Sequence, residues 1–494
     1  MKTSVILSIL LLSVSLGCSR QRSAAEPVTL TFLDVEWEAS EQLPGLAHEL
    51  QDFTTETGIQ VRRLPAPDAS LSQLALWKEL LQKGIAGPDV VSIDVIWSGI
   101  LNEYLIDLKP YISPDLFSQN PDVVASYTVG NKLVGIPRHA YVGALFYRAD
   151  LLQRYGYREP PQTWDELERM AARIQVGERA KGEKDFWGFI WQGGIDEDST
   201  CDGLEWQASE GGGRIIEDDK IISVNNPQTI RAWQRAARWV GSISPPSVVG
   251  YAKWDADNAW NSGRAAFARG WASDYSLIAL HPLPRNSTQY GVTSLPRGRV
   301  GRASTLGGNG LAVSRSSAHP REALELIRFL RRRDMQFMRA SENSEIPKEF
   351  VLYELPVVLE LYPQNPKLRE HGAPVVARPS IAAGLKYEDV SRAYIQAVHS
   401  VLTGQENASV AAAALEKELI AITGFRPAPL ASFRRKTAKM GMITEQNDSR
   451  DRQILAWKPR RCSRDDARSS HSRDVGGVQT HVFGVGVMRN RARV

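Results

Sequence analysis

The chain has 494 residues, 43% of them hydrophobic and 23% charged, globular values that exclude a disordered or collagen-like polypeptide. That length accommodates two or three domains, and the formal net charge of +4 is unevenly spread. Residues 426–494 carry 16 Lys/Arg against 6 Asp/Glu and residues 1–425 carry 44 against 50, so the main body is mildly acidic and a nucleic-acid-binding body is excluded.

Lys2 and the apolar run from Val5 to Leu16 form the charged and hydrophobic regions of a signal peptide. No other apolar run stands out, which excludes a polytopic membrane protein. Ser15-Leu16-Gly17-Cys18 resembles the end of a bacterial lipoprotein signal. On that reading residues 1–18 hold the signal, Cys18 is lipidated and residues 19–27 are a tether. An ordinary secretory peptide cleaved near Ala24-Ala25 is the other reading. Both place the mature protein outside the cytoplasm. Of the remaining cysteines, Cys201 reads as a buried free thiol and Cys462 as incidental.

Thr29–Val35, Ile59–Leu64 and Asp89–Ile93 are β-branched and apolar and read as strands. Between them, residues 41–57 (closed by Gly58) and Leu71–Lys83 read as helices. Strand-helix-strand-helix-strand in about seventy residues predicts right-handed crossovers and a mainly parallel sheet. Leu133–Pro137 and Ala144–Tyr147 are further short strands. Thr163 and Glu166 form a capping box opening a helix to Glu178. Later helices are predicted over Pro227–Val240, His319–Arg332, Tyr387–Thr403 and Val410–Thr423.

The chain contains no phosphate-binding G-x-x-x-x-G-K-[ST], no H-E-x-x-H, no G-x-S-x-G and no paired C-x-x-C, and its eight histidines are scattered. No cofactor or metal is expected. Two carboxylates suffice for glycoside hydrolysis, so a periplasmic hydrolase is the competing reading. Thirteen tryptophans suit carbohydrate instead: aromatic rings stack on the C–H faces of sugars, and Asp, Glu, Asn and Arg hydrogen-bond the hydroxyls. A lone tryptophan is still more often core than platform.

Several segments, in order, resemble the family 1 extracellular solute-binding proteins of ABC importers, in the branch that binds trehalose, maltose and related oligosaccharides. They are Asp89–Ile112 (DVVSIDVIWSGILNEYLIDLKPYI), Gly143–Tyr157 (GALFYRADLLQRYGY), Pro160–Leu167 (PPQTWDEL), Asp185–Gln192 (DFWGFIWQ), Thr200–Gly213 (TCDGLEWQASEGGG), Thr305–Ser314 (TLGGNGLAVS) and Ala377–Gly384 (ARPSIAAG). The resemblance covers about residues 28–425. It implies an α/β, two-lobed periplasmic-binding-protein fold with a hinge and an interlobe ligand cleft. Lobe one would take residues 28–137 plus about 296–345, and lobe two about 138–295 plus 346–425. It also implies a monomer that closes on an oligosaccharide and delivers it to ABC permease subunits with a cytoplasmic ATPase, without catalysis.

The same resemblance implies the binding residues. Asp94, after the third strand, would hydrogen-bond sugar hydroxyls, with a loop cap as the plain alternative. Glu38 would be the acidic contact of the first loop, with Glu36 and Trp37 as close competitors. Trp271 and Tyr275, in Phe267–Tyr275 (FARGWASDY), would supply the aromatic platform. Gly307 and Gly308 would let the backbone approach the ligand. Arg378 would chelate vicinal hydroxyls with its planar fork, or form a structural ion pair. Trp97, Glu205 and Trp206 are as readily core as cleft. Two positions depart from the branch: Tyr141 stands where an aspartate is usual, and Asn309 where a tryptophan is usual. Both are taken as ligand-facing. The last helix of the family would end near Gly424, leaving 426–494 as a basic, disordered tail.

Overall fold

The computed structural model describes residues 27–34, 45–67, 70–82, 87–112, 121–272, 290–336 and 375–429. These all lie in the first of two compact units, Met1–Met442. The signal segment with Cys18, the loop with Glu36, Trp37 and Glu38, Tyr275, and the tail from residue 430 lie outside the described residues.

The N-terminal strands adopt the predicted pattern. β1 (Thr29–Leu33), α1 (Gly45–Thr57), β2 (Gln60–Leu64), α2 (Ser70–Gln82) and β3 (Val90–Asp94) alternate, and β1 lies between β2 and β3, parallel to both. Alternating burial in β1 and full burial at the start of β3 put Phe32, Val90 and Val91 in the core with Phe53 of α1 and Trp77 of α2. Next come the short helices α3 (Ser98–Leu101) and α4 (Pro121–Ala125) and the hairpin β4 (Thr128–Val129) and β5 (Lys132–Leu133).

The predicted pair of short strands is replaced by one long strand. β6 runs from Ile136 to Tyr147, about 40 Å at the usual rise per residue. Pro137 and the small residues around Gly143 obscure its alternation in the sequence. After α5 (Ala149–Arg154), α6 (Trp164–Ala180) starts with the predicted capping box: the Glu166 amide donates to Thr163 Oγ1 at 3.1 Å, and the Thr163 amide donates back to Glu166. β7 (Trp187–Ile190), α7 (Glu197–Ser209), β8 (Ile221–Ile222), α8 (Pro227–Trp239), α9 (Lys253–Asn261) and β9 (Ala265–Trp271) complete this half.

β10 (Gly291–Ser294) and β11 (Ser304–Val313) bring the chain back, and then come α10 (Pro320–Leu330), β12 (Val375–Val376), α11 (Ser380–Ala383), α12 (Tyr387–Leu402) and α13 (Ala408–Thr423). The main sheet is ordered β2-β1-β3-β11-β6-β9-β7, with β10 also on β6 and β12 also on β11. It is not mainly parallel. β11 is antiparallel to β3 and β6, and β6 is antiparallel to β9 and β10. The crossover rule describes the first three strands, and β7–β9 and β11–β12 are parallel too, but β6 and β11 run antiparallel to each other and to β9 and β3 respectively. Both are shared: β6 pairs β11 through Ile136–Val142 and β9 through Gly143–Tyr147, while β11 pairs β3 through Asn309–Val313.

α13 ends at Gly424, whose φ of 74° places it in the left-handed region glycine adopts without penalty. The chain continues in register beyond the expected boundary: β13 (Arg426–Pro427) pairs with β8, and the Ala428 amide donates to Ile222 O. Cys201 is buried with a free thiol.

Candidate functional site

Four adjacent strands bring the predicted residues together. Asp94 ends β3, and its register partner on β11 is Asn309, whose partner on β6 is His139. Two steps along, Tyr141 of β6 faces Gly307 of β11, and Trp271 ends β9 opposite Gly143 of β6. Carboxylate, amide, phenol and indole therefore sit along one line across the sheet.

The indole and phenol rings of Trp271 and Tyr141 pack edge to face, centroids 5.8 Å apart and planes at 67°. A Cβ on Gly307 would come within 2.9 Å of both rings. Gly307 thus admits the rings themselves, a packing role the sequence did not suggest. Gly308 has φ of 131°, closed to most side chains, and its carbonyl accepts from the Val95 amide at 3.0 Å. Asn309 is buried.

Trp271 is anchored on both sides. Its Nε1 donates to Asp198 Oδ1 at 3.3 Å, and the Arg269 guanidinium lies 4.3 Å from its ring centroid. Arg269 is itself buried among carboxylates: Nε lies 2.8 Å from Asp202 Oδ1, Nη2 donates to Glu205 Oε1 at 2.9 Å, and Nη1 donates to Gln192 Oε1 at 2.9 Å. Thr305 of β11 also donates its amide to Glu205, at 3.0 Å. Burial pushes the Asp202 carboxyl well above the usual range, against the pull of Arg269. Glu205 and Trp206 are therefore core, and so is Trp97, which packs edge to face on Trp77.

Asp94 is half-buried, its side chain 31% exposed. One oxygen caps its own loop, accepting from the Ile96 amide at 3.0 Å, and lies 3.6 Å from Arg378 Nη2. Among the described residues Oδ2 accepts no hydrogen bond. Burial raises the Asp94 pKa, with Arg378 opposing. Arg378, between β12 and α11, is buried; Nη1 donates to Glu197 Oε1 at 2.9 Å and Nη2 to Leu306 O at 3.3 Å. Among the described residues its Nε has no partner, and neither does the buried hydroxyl of Tyr127, whose electrostatic neighbours are Asp94, Tyr141 and Arg378. A cavity of about 280 Å³ opens beside this cluster, lined in part by Val95, Ile96, Ser126, Arg214, Leu306 and Arg378.

Sequence reasoning missed Glu197. This residue begins α7 and also accepts hydrogen bonds from Tyr387 and from Ser391 Oγ, the latter at 2.6 Å. Asp196 caps α7, accepting from the Asp198 amide at 3.0 Å; burial first, then Asp198, pushes its carboxyl up to about 7. The Asp196-Glu197-Asp198 run, acidic residues at and just inside a helix start, was the available signal. Among the described residues no group of His, Cys, Asp and Glu is arranged to hold a metal ion.

Comparison with known proteins assigns this arrangement to a lineage. Residues 50–347 match the family described as "Bacterial extracellular solute-binding protein". The chain belongs to that family. A "Probable ABC transporter-binding protein" of Deinococcus radiodurans is 38% identical to this solute-binding protein over 374 residues, which is 75% of this chain and 89% of that one. Among solved structures, maltose-bound T. maritima MalE3 superposes with a TM-score of 0.70 at 31% identity, over 80% of this chain and all of that one. The GacH receptor of Streptomyces glaucescens, solved unliganded and with acarbose, superposes at 0.68 and 22% identity over 81% of this chain and 99% of that one, a likeness of fold. The mixed α/β fold of this solute-binding protein is the two-lobed periplasmic-binding-protein fold.

Proposed function

We propose that this solute-binding protein is the extracytoplasmic receptor of an ABC sugar importer. It captures an oligosaccharide of the maltose or trehalose kind, without turnover, and presents it to permease subunits driven by a cytoplasmic ATPase. The observation that carries this reading is the line of Asp94, Asn309, Tyr141 and Trp271 across four strands, next to Arg378. An indole edge-packed on a phenol offers an apolar face to a sugar ring. The uncommitted oxygen of Asp94 and the unpartnered donors of Tyr127 and Arg378 offer hydrogen bonds to hydroxyls. The 31% identical maltose-bound relative supports the ligand class.

The two lobes are residues 28–137 with about 296–345, and about 138–295 with 346–425. The sharing of β6 and β11 between both ends of the sheet supports the division. Glu38 and Tyr275 complete the ligand contacts, and a lipid on Cys18 holds the monomeric receptor at the membrane surface.

A thermal-shift screen of the purified protein tests the reading, using mono-, di- and oligosaccharides, polyols and amino acids. A ligand that binds only the folded state raises the melting temperature, by about 2.7 kcal/mol of stabilisation at a hundred times its dissociation constant. One or a few sugars are expected to shift the melt, and Trp271→Ala and Arg378→Ala to erase the shift. A shift with amino acids alone would overturn the sugar, and appearance of sugar products would overturn the receptor reading in favour of hydrolysis.

A further inference from the structure

The cavity of about 280 Å³ adjoins the contact between Asp94 and Arg378. Val95 and Ile96, the two residues after Asp94, line it, and so does Arg378, whose Nη2 lies 3.6 Å from Asp94 Oδ1. Other parts of its wall come from segments distant in sequence: Asp122 on α4, Ser126 just after it, and Arg214 and Asp218 between α7 and β8. Arg214 is held in place. Its amide donates to Glu217 Oε1 at 3.0 Å, and its carbonyl accepts from Gln207 Nε2 of α7 at 3.1 Å. Its guanidinium donates through Nη1 to Asp218 Oδ1 at 2.6 Å, and among the described residues its Nε and Nη2 have no acceptor. Arg378 is built alike, with Nη1 on Glu197 and a buried Nε that has no partner among the described residues. One cavity wall thus carries two guanidiniums, each fixed by a carboxylate and each with uncommitted N–H groups.

We propose that this cavity is a second sugar subsite, in which Arg214 hydrogen-bonds the hydroxyls of the ring next to the one held at Asp94 and Arg378. The proposal rests on the carbohydrate reading above. The volume lies close to the lower bound of roughly 300 Å³ for small-molecule sites, which suits one ring rather than a chain. Among the described residues the charged side chains on the wall are Asp122, Asp218, Arg214 and Arg378, two of each sign. A wall so balanced suits a neutral ring rich in hydroxyls, since an anion would have to displace carboxylates that already hold the two arginines. Val95, Ile96 and Leu306 give the same wall an apolar part for the C–H face of that ring. On the lobe division proposed above, Val95 to Ser126 belong to lobe one and Arg214 to lobe two. A ring in the cavity therefore touches both lobes, and its binding energy favours the closed form.

Titration calorimetry with glucose and maltose tests the subsite, on the wild-type protein, Arg214→Ala and Ala125→Leu. The first variant removes the donor. The second narrows the cavity from another wall, at an exposed helical position where leucine is tolerated. In the wild-type protein maltose is expected to bind at least about tenfold more tightly than glucose, because only maltose fills both subsites. Each variant is expected to weaken maltose about tenfold, the size of one hydrogen bond to a charged group, and to leave any glucose affinity within twofold. Unchanged maltose affinity in both variants, or the same loss for glucose as for maltose, overturns the subsite while leaving the sugar reading intact. Glucose binding as tightly as maltose to the wild-type protein overturns it too, since the second ring would then add nothing. If the wild-type protein binds neither sugar, the maltose-type reading falls and the subsite with it.

Discussion

Asp196 is a single carboxylate with a measurable pH signature. Its folded pKa is pushed up to about 7 from an ordinary value of 3.8. The native state therefore holds this proton more tightly than the unfolded chain. Where native protein binds more protons, stability falls as pH rises, so this group costs stability progressively between about pH 4 and pH 7 and by a constant amount above. Asparagine keeps the helix-capping oxygen and removes the titration. Asp196→Asn is expected to match the wild-type protein near pH 4 and to exceed it by roughly 1–3 kcal/mol at pH 8, read from chemical unfolding at a series of pH values. A constant difference across that range would show that Asp196 ionises normally. Arg378 raises a related point. Its Nη atoms already serve Glu197 and Leu306, with Asp94 3.6 Å away. The structural ion pair is therefore compatible with the ligand contact proposed for the same side chain, since the pair fixes the fork that a sugar would meet on that proposal.

Between elements, the Arg269 cluster couples β9, α7 and β11. One guanidinium lies against two buried carboxylates, Asp202 and Glu205, and beneath Trp271. Removing the cation leaves both acids buried without it, a loss of about 3–5 kcal/mol for breaking such a pair. Arg269→Met is expected to lower unfolding stability by that order in urea titrations and to weaken sugar binding by loosening Trp271; full stability in the variant would show that the acids are protonated and need no partner. Sequence patterning finds the amphipathic helices because each has one wet face, as in α8 and α10. It does not find α7, whose residues from Ser199 to Gln207 are all buried and show no polar stripe. β11 escapes it for the opposite reason: Gly307, Gly308, Asn309 and Gly310 lack strand character, yet the whole strand is buried because β3 and β6 flank it. The line of candidate site residues runs across β3, β11, β6 and β9. Single positions such as Asp94 and Trp271 are thus legible through a family resemblance, while Glu197 and the Arg269 cluster, formed by residues distant in sequence, are not.

At the scale of the whole molecule, a receptor that closes over its ligand needs lobes that move while remaining connected. The sequence pattern of the first strands is that of a self-contained parallel unit, and β1, β2 and β3 form one. The connection comes from later in the chain, since β6 and β11 hydrogen-bond into both ends of one sheet. Binding energy drawn from both sides of such a connection favours the closed form, the state a permease can distinguish from the empty one.

The 12-residue span of β6 also bears on how the protein comes apart. Were the lobes joined only by flexible linkers, each would melt at its own temperature, and heat would release them in turn. A strand that completes the ladder of β11 with one end and that of β9 with the other cannot leave one lobe without stripping the other of its backbone partners. The lobes are therefore expected to share one cooperative transition. Scanning calorimetry of the ligand-free protein should give a single peak whose calorimetric and van't Hoff enthalpies agree, and two resolved peaks would mean that β6 does not bind the halves into one folding unit.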